Sequence, residues 1–150
     1  MQMRDLNSYL DQPVYSASTE ELIYRAPAAI RYDFLIKRVC RLGRIWALWD
    51  GDGWLTTTGR DDRERFLVWP DAVFARRALD EELRRIEPHA SVDSIELKKW
   101  VEHYLPDLQA HGDRVWAFPA AKLNGGVIGP EDMLKDIAAE SEWLDARGKV

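Results

Sequence analysis

Hydrophobic and polar positions recur with two different periods along this chain, and the switches between them mark its elements. Residues 1–27 are polar and weakly periodic, with one helical signal at Ser18-Thr19-Glu20-Glu21, where Ser18 and Glu21 stand at capping-box spacing. Pro27 then suits a first helical position, and Ile30, Phe34, Leu35 and Val39 follow at near-helical spacing until Leu42-Gly43, where glycine readily takes the left-handed cap. From Arg44 the period falls to two. Arg44-Ile45-Trp46-Ala47-Leu48-Trp49 reads as a strand, Asp50-Gly51-Asp52-Gly53 as a turn, and Trp54-Leu55-Thr56-Thr57-Thr58 as the returning arm of a hairpin. Arg65-Phe66-Leu67-Val68-Trp69 gives a third strand, stopped by Pro70.

Helical spacing returns over residues 71–85, with Val73, Phe74, Leu79 and Leu83 inward and the pairs Asp80–Arg84 and Glu81–Arg85 outward. A second helix is predicted from a capping box at Asp93 and Glu96 and a Val92–Leu97 staple, with Leu97, Trp100, Val101, Tyr104, Leu105 and Leu108 as its apolar face. Pro106 should kink it or end it early. Arg114-Val115-Trp116-Ala117-Phe118 and Gly126-Val127-Ile128 read as two more strands, joined through Pro119 and an Asn124-Gly125 turn. A last helix starts at Pro130 and carries the stripe Met133, Leu134, Ile137, Ser141 and Leu144. The expected organisation is an N-terminal arm or lead-in helix over residues 1–27 and a single α+β domain over 28–150. That domain is expected to be a mainly antiparallel sheet of about five strands with helices packed on it.

Ile45-Trp46-Ala47-Leu48, Gly53-Trp54, Val68-Trp69-Pro70, the Trp100 helix, Val115-Trp116-Ala117-Phe118-Pro119, Gly126-Val127 and Pro130 together resemble a small bacterial family known as domain of unknown function 2750. The run Arg31-Tyr32-Asp33-Phe34-Leu35 with Val39 belongs to the same resemblance, which covers roughly residues 28–137. What it implies is a bacterial cytosolic protein of about this size, with no catalytic residues to carry over.

Charge narrows the partners. The chain's 21 basic and 26 acidic side chains leave a net charge of −5, and a nucleic-acid binder normally shows a basic face, so the balance argues against one. The local exception, Arg31, Lys37, Arg38, Arg41 and Arg44, reads as the solvated side of an amphipathic helix. One cysteine makes no internal disulfide, no apolar run approaches the roughly 20 residues of a membrane helix, and no leader pattern opens the chain, so the expected location is the cytoplasm, away from the membrane.

Chemistry is sparse. His89, His103 and His111 are isolated, and the last two, eight positions apart, stand about 12 Å from each other along a helix, too far for one ion, so no metal is expected. Cys40, beside Val39 on a buried stripe, reads as a small hydrophobe, and Asp50-Gly51-Asp52-Gly53 as a turn without the ligands of a calcium loop. With no nucleophile elbow, phosphate loop or dinucleotide glycines, no catalytic residue and no cofactor are assigned.

Seven tryptophans are the compositional outlier. Five lie on predicted strands, and period two sends Trp46 and Trp49 to opposite faces, so an exposed aromatic surface is expected. The favoured reading is a non-enzymatic protein-binding domain in which Trp49 and Trp54, with Asp80, Glu81, Glu82, Glu140, Glu142 and Asp145 around them, dock a basic partner. A bacterial immunity protein that neutralises a toxin by direct binding fits that description. A homodimer stays open. The alternative is a small-molecule-binding or enzymatic domain whose aromatic pocket uses Arg31, Tyr32 and Trp54.

Overall fold

A computed structural model of the chain describes residues 5–148. Helix α1 (Ala17–Tyr24) is capped by Ser16, whose extended backbone lets its hydroxyl accept the Thr19 amide at 3.2 Å, two residues ahead of the expected cap. Leu6, Leu10, Ile23 and Tyr24 lie in the core, so the expected arm contributes apolar packing. Helix α2 (Ala28–Leu42) ends where anticipated, with Gly43 left-handed at φ 76° and its N–H on the Val39 carbonyl at 2.8 Å.

Strands β1 (Arg44–Trp49), β2 (Thr56–Thr58) and β3 (Glu64–Val68) come next. Helix α3 (Ala72–Ala78) continues as a wider π-turn, Leu79–Leu83. Strand β4 (Ser91–Glu96) precedes helix α4, residues 97–111, and strands β5 (Arg114–Ala117) and β6 (Gly126–Ile128) lead into helix α5 (Pro130–Gly148). No helix among the described residues is long and apolar enough to cross a membrane.

The α+β class holds, but the single five-stranded antiparallel sheet does not. Among the described residues six strands form two sheets, β1-β4 and β2-β3-β5-β6, and β3 pairs with β5 in parallel. The parallel pair is possible because residues 69–113 form the long crossover that such pairing requires. The two sheets meet at an antiparallel bridge between Trp46 and Trp69, with backbone bonds of 2.9 and 2.8 Å.

Strand β4 overturns the expected capping box. Residues 91–96 pair along all of β1, from Arg44 opposite Glu96 to Trp49 opposite Ser91, and the Asp93 carboxylate accepts the Ser94 amide. Val92 and Ile95 are three apart, a helical spacing, which disguised the strand. With β1 taken by β4, the expected hairpin shrinks to a bridge between Trp49 and Trp54, and β2 pairs with β3 instead.

Pro106 does not end α4. A proline ring collides with the carbonyl four residues earlier and cannot donate to it. Here Trp100–Tyr104 widens to a π-helix, whose Leu105 N–H reaches back to Trp100, and the following α-helical stretch Leu105–His111 runs on to a left-handed Gly112. The expected two-residue turn at Asn124-Gly125 is a wider loop, with Lys122 and Leu123 at φ 57° and 54° and Ala120 N–H on the Asn124 carbonyl.

Candidate functional site

Helix α5 buries Met133 and Ile137 and half-buries Leu134, Ser141 and Leu144, the stripe its sequence dictates. Beside that stripe, Asp136, Glu140 and Trp143 follow at intervals of four and three and share an adjacent face. Helix α2 opposes them with Tyr32, Ile36, Asp33, Lys37 and Arg41, and the preceding segment adds Asn7, Leu10 and Asp11. Together they line a cleft of about 650 Å³.

Polar contacts order its walls. The Tyr32 hydroxyl donates to Asp136 Oδ2 at 2.5 Å, and burial, more than this bond, pushes its pKa up, so it stays protonated. Arg41 donates to Glu140 Oε2 at 3.0 Å and lies 3.5 Å from Asp11, while Lys37 is held by Asp33 and Asn7, each at 3.0 Å. The lining thus carries four carboxylates, Asp11, Asp33, Asp136 and Glu140, against two cations. Trp143 stands at the cleft 46% exposed, the one indole classed as exposed among the described residues, with the Arg147 guanidinium 4.1 Å from its ring. Such a surface is chemically suited to cationic and apolar groups.

Cys40 is half-buried, its thiol donating to the Ile137 carbonyl, and burial pushes the pKa up, away from nucleophilic chemistry. Among the described residues no group of three or more His, Cys, Asp or Glu is placed to hold a metal ion.

The sequence-derived candidates fall in four places. Trp49 and Trp54 form an edge-on pair with ring centroids 5.1 Å apart, half-buried, with Trp54 Nε1 donating to the Tyr104 hydroxyl at 3.0 Å beside Phe66 and Trp100. Asp80, Glu81 and Glu82 sit on the π-turn after α3, bonded to Arg84, Arg77 and the Lys122 amide at 2.7, 3.0 and 2.8 Å. Glu140 lines the cleft, and Glu142 and Asp145 are exposed on the same helix.

Arg31 and Arg38 correct the expectation of a solvated basic face, being only 3% and 1% exposed. The Arg31 guanidinium donates to the carbonyls of Phe118, Ala26 and Asn124, which ties α2 to the loop after β5. Tyr32 opens on the cleft whereas Trp54 lines a smaller recess with His103 and Tyr104, so the structure does not gather Arg31, Tyr32 and Trp54 around one pocket.

Trp143, Asp136, Asp33 and Asp11 were missed. The available signal was the Asp136, Glu140, Trp143 spacing, an indole placed off the apolar stripe of its own helix.

A family model described as protein of unknown function (DUF2750) matches residues 32–137, well over half of the chain. No curated protein and no solved structure matches it.

Proposed function

This chain belongs to the DUF2750 family, and we propose that it is a non-enzymatic protein-binding domain of the cytoplasm that docks a basic partner, such as a toxin domain it neutralises, in the cleft between α2 and α5. The observation that carries this reading is Trp143, half-exposed beside four carboxylates of which Asp136 accepts only the neutral Tyr32 hydroxyl among the described residues. An exposed indole offers apolar area to a partner, and surplus carboxylates steer a basic surface toward it. The acidic residues of the π-turn after α3 are engaged by contacts within the chain, as are Asp11, Asp33 and Glu140, so Asp136 is the cleft carboxylate that meets no cation among the described residues.

A second reading, a small-molecule site, draws on the size of the cleft, which lies within the range of ligand pockets. Affinity capture from the native host separates the two. Wild-type, Trp143→Ala and Trp49→Ala baits are compared by quantitative mass spectrometry, and a basic protein is expected to fall at least tenfold with Trp143→Ala and to persist with Trp49→Ala. A copurifying metabolite lost with Trp143→Ala, and no protein that depends on the cleft, would replace the first reading with the second.

A further inference from the structure

Away from the cleft, β2, β3 and β5 lie side by side in a register that sets Thr57 opposite Arg65 and Arg65 opposite Arg114. Residues directly opposite on neighbouring strands project from the same face of a sheet, so one face carries the row Thr57, Arg65, Arg114. Two positions along β5, Trp116 lies on that face as well. Like charges set side by side destabilise a sheet unless a negative group joins them.

Outside this row and its neighbours Arg60 and Arg63, five of the ten other described arginines, Arg25, Arg38, Arg41, Arg77 and Arg84, pair with a carboxylate, and Arg31, Arg44, Arg76, Arg85 and Arg147 do not. Among the described residues Arg65 and Arg114 make no ion pair within 4.0 Å, and neither do their neighbours Arg60 and Arg63. Arg63 donates instead to the His111 carbonyl at 3.1 Å. Arg65 is the sharper case: it is half-buried, and its Nε is shielded from solvent without an acceptor. A shielded, unpaired donor carries the full cost of lost hydration.

The loop between β2 and β3 is shaped around this group. A Cβ on Gly59 would stand 2.7 Å from Arg65 Nη2 and 2.9 Å from Asp61 Oδ1, so glycine lets both polar heads lie beneath the backbone. Asp61 is close but committed, its Oδ1 accepting the Arg63 amide at 3.1 Å; that bond chiefly holds its carboxyl below the usual carboxylate range, with Arg65 and Arg114 adding a smaller pull. Four acids, Asp61, Asp62, Glu64 and Asp113, are interspersed with Arg60, Arg63, Arg65 and Arg114, so it is the unpaired guanidiniums of Arg65 and Arg114, rather than a net positive charge, that can take an anion.

We infer that this row is an oxyanion site that takes a phosphate group, with Arg65 and Arg114 as the charged donors and Thr57 adding a hydroxyl. Guanidinium forks match phosphate oxygens in geometry as well as in charge. The site is independent of the α2–α5 cleft.

Titrating inorganic phosphate into the whole protein at constant ionic strength, while following the arginine Nε–Hε resonances by NMR, tests it. Saturable shifts at Arg65 and Arg114 are expected, with none when sodium chloride replaces phosphate. Arg114→Gln, an exposed change, should weaken binding at least tenfold, and Asp61→Asn, which removes a competing charge, should tighten it several-fold. Phenyl phosphate binding at least as well as phosphate assigns the group to a phosphomonoester whose aromatic part lies toward Trp116, phosphate alone assigns it to the free ion, and either supports the site. Shifts no larger than chloride gives, or an affinity untouched by Arg114→Gln, would overturn it.

Discussion

Trp69→Ala is expected to remove about 3–5 kcal/mol of unfolding free energy, a large share of the roughly 5–15 kcal/mol typical of a domain. Trp69 is fully buried and joins three parts of the fold at once. Its backbone makes both bonds of the bridge to Trp46, which connects the two sheets, and its indole Nε1 donates to the Pro119 carbonyl at 2.8 Å, which anchors the loop after β5. Alanine leaves a cavity and strips that buried carbonyl of its donor, two costs that add. Trp69→Phe retains most of the volume but not the donor, so its loss should be smaller. Urea denaturation followed by circular dichroism reads both, with Trp143→Ala expected within about 0.5 kcal/mol of wild type. A Trp69→Ala loss below about 1 kcal/mol would mean that the junction repacks around the gap.

The second large effect belongs to Asp71. Arg38, 1% exposed, donates to Asp71 Oδ2 from Nε at 3.2 Å and Nη2 at 2.9 Å and to the Leu10 carbonyl at 2.7 Å. Tyr15 completes the cluster: its hydroxyl donates to Asp71 Oδ1 at 2.9 Å, and the Arg38 guanidinium lies 4.9 Å from its ring. Removing one partner of a buried pair leaves a desolvated charge, so Asp71→Ala should cost about 3–5 kcal/mol. Replacing both members, Arg38→Met with Asp71→Ala, should cost less than that single change, because no buried charge is then stranded. Equal losses for the single and double variants would show that packing, rather than charge, governs the site.

Both clusters were hidden from the sequence for the same reason. The Leu42-Gly43 stop, strands β1, β3, β5 and β6 and the stripe of α5 depend on neighbours within one element, and each could be read from local spacing. Arg38 occupies a helical position that looks solvated until the segment around Leu10 and the start of α3 close over it, and Trp69 looks like the end of a strand until β1 crosses it. Strand β4 failed for a related cause, since its pairing with β1 is long-range while its two apolar residues mimic a helical step. The match over residues 32–137 agrees with the family resemblance carried by the Trp, Gly and Pro positions.

The candidate site was legible only in part. Acidic residues around an exposed indole were anticipated, and Glu140 does lie beside one, but that indole is Trp143, whereas Trp54 leans on Tyr104 and Phe66, and Trp49 on Trp54, in an aromatic group. Period-two alternation identifies which strand face an indole occupies but not what later covers it. Trp143 lies off the apolar stripe of its helix, so the helix's apolar periodicity carries no signal for it.

The central claim, that a partner docks on the α2–α5 cleft, is tested most directly by photo-cross-linking in the native host with a benzophenone amino acid in place of Trp143 and, separately, of Trp49. The account predicts one basic protein cross-linked from position 143, lost when Asp136→Asn and Glu140→Gln are added, and none from position 49. A cross-link from position 49 alone, or none from 143 in a folded protein, would contradict it.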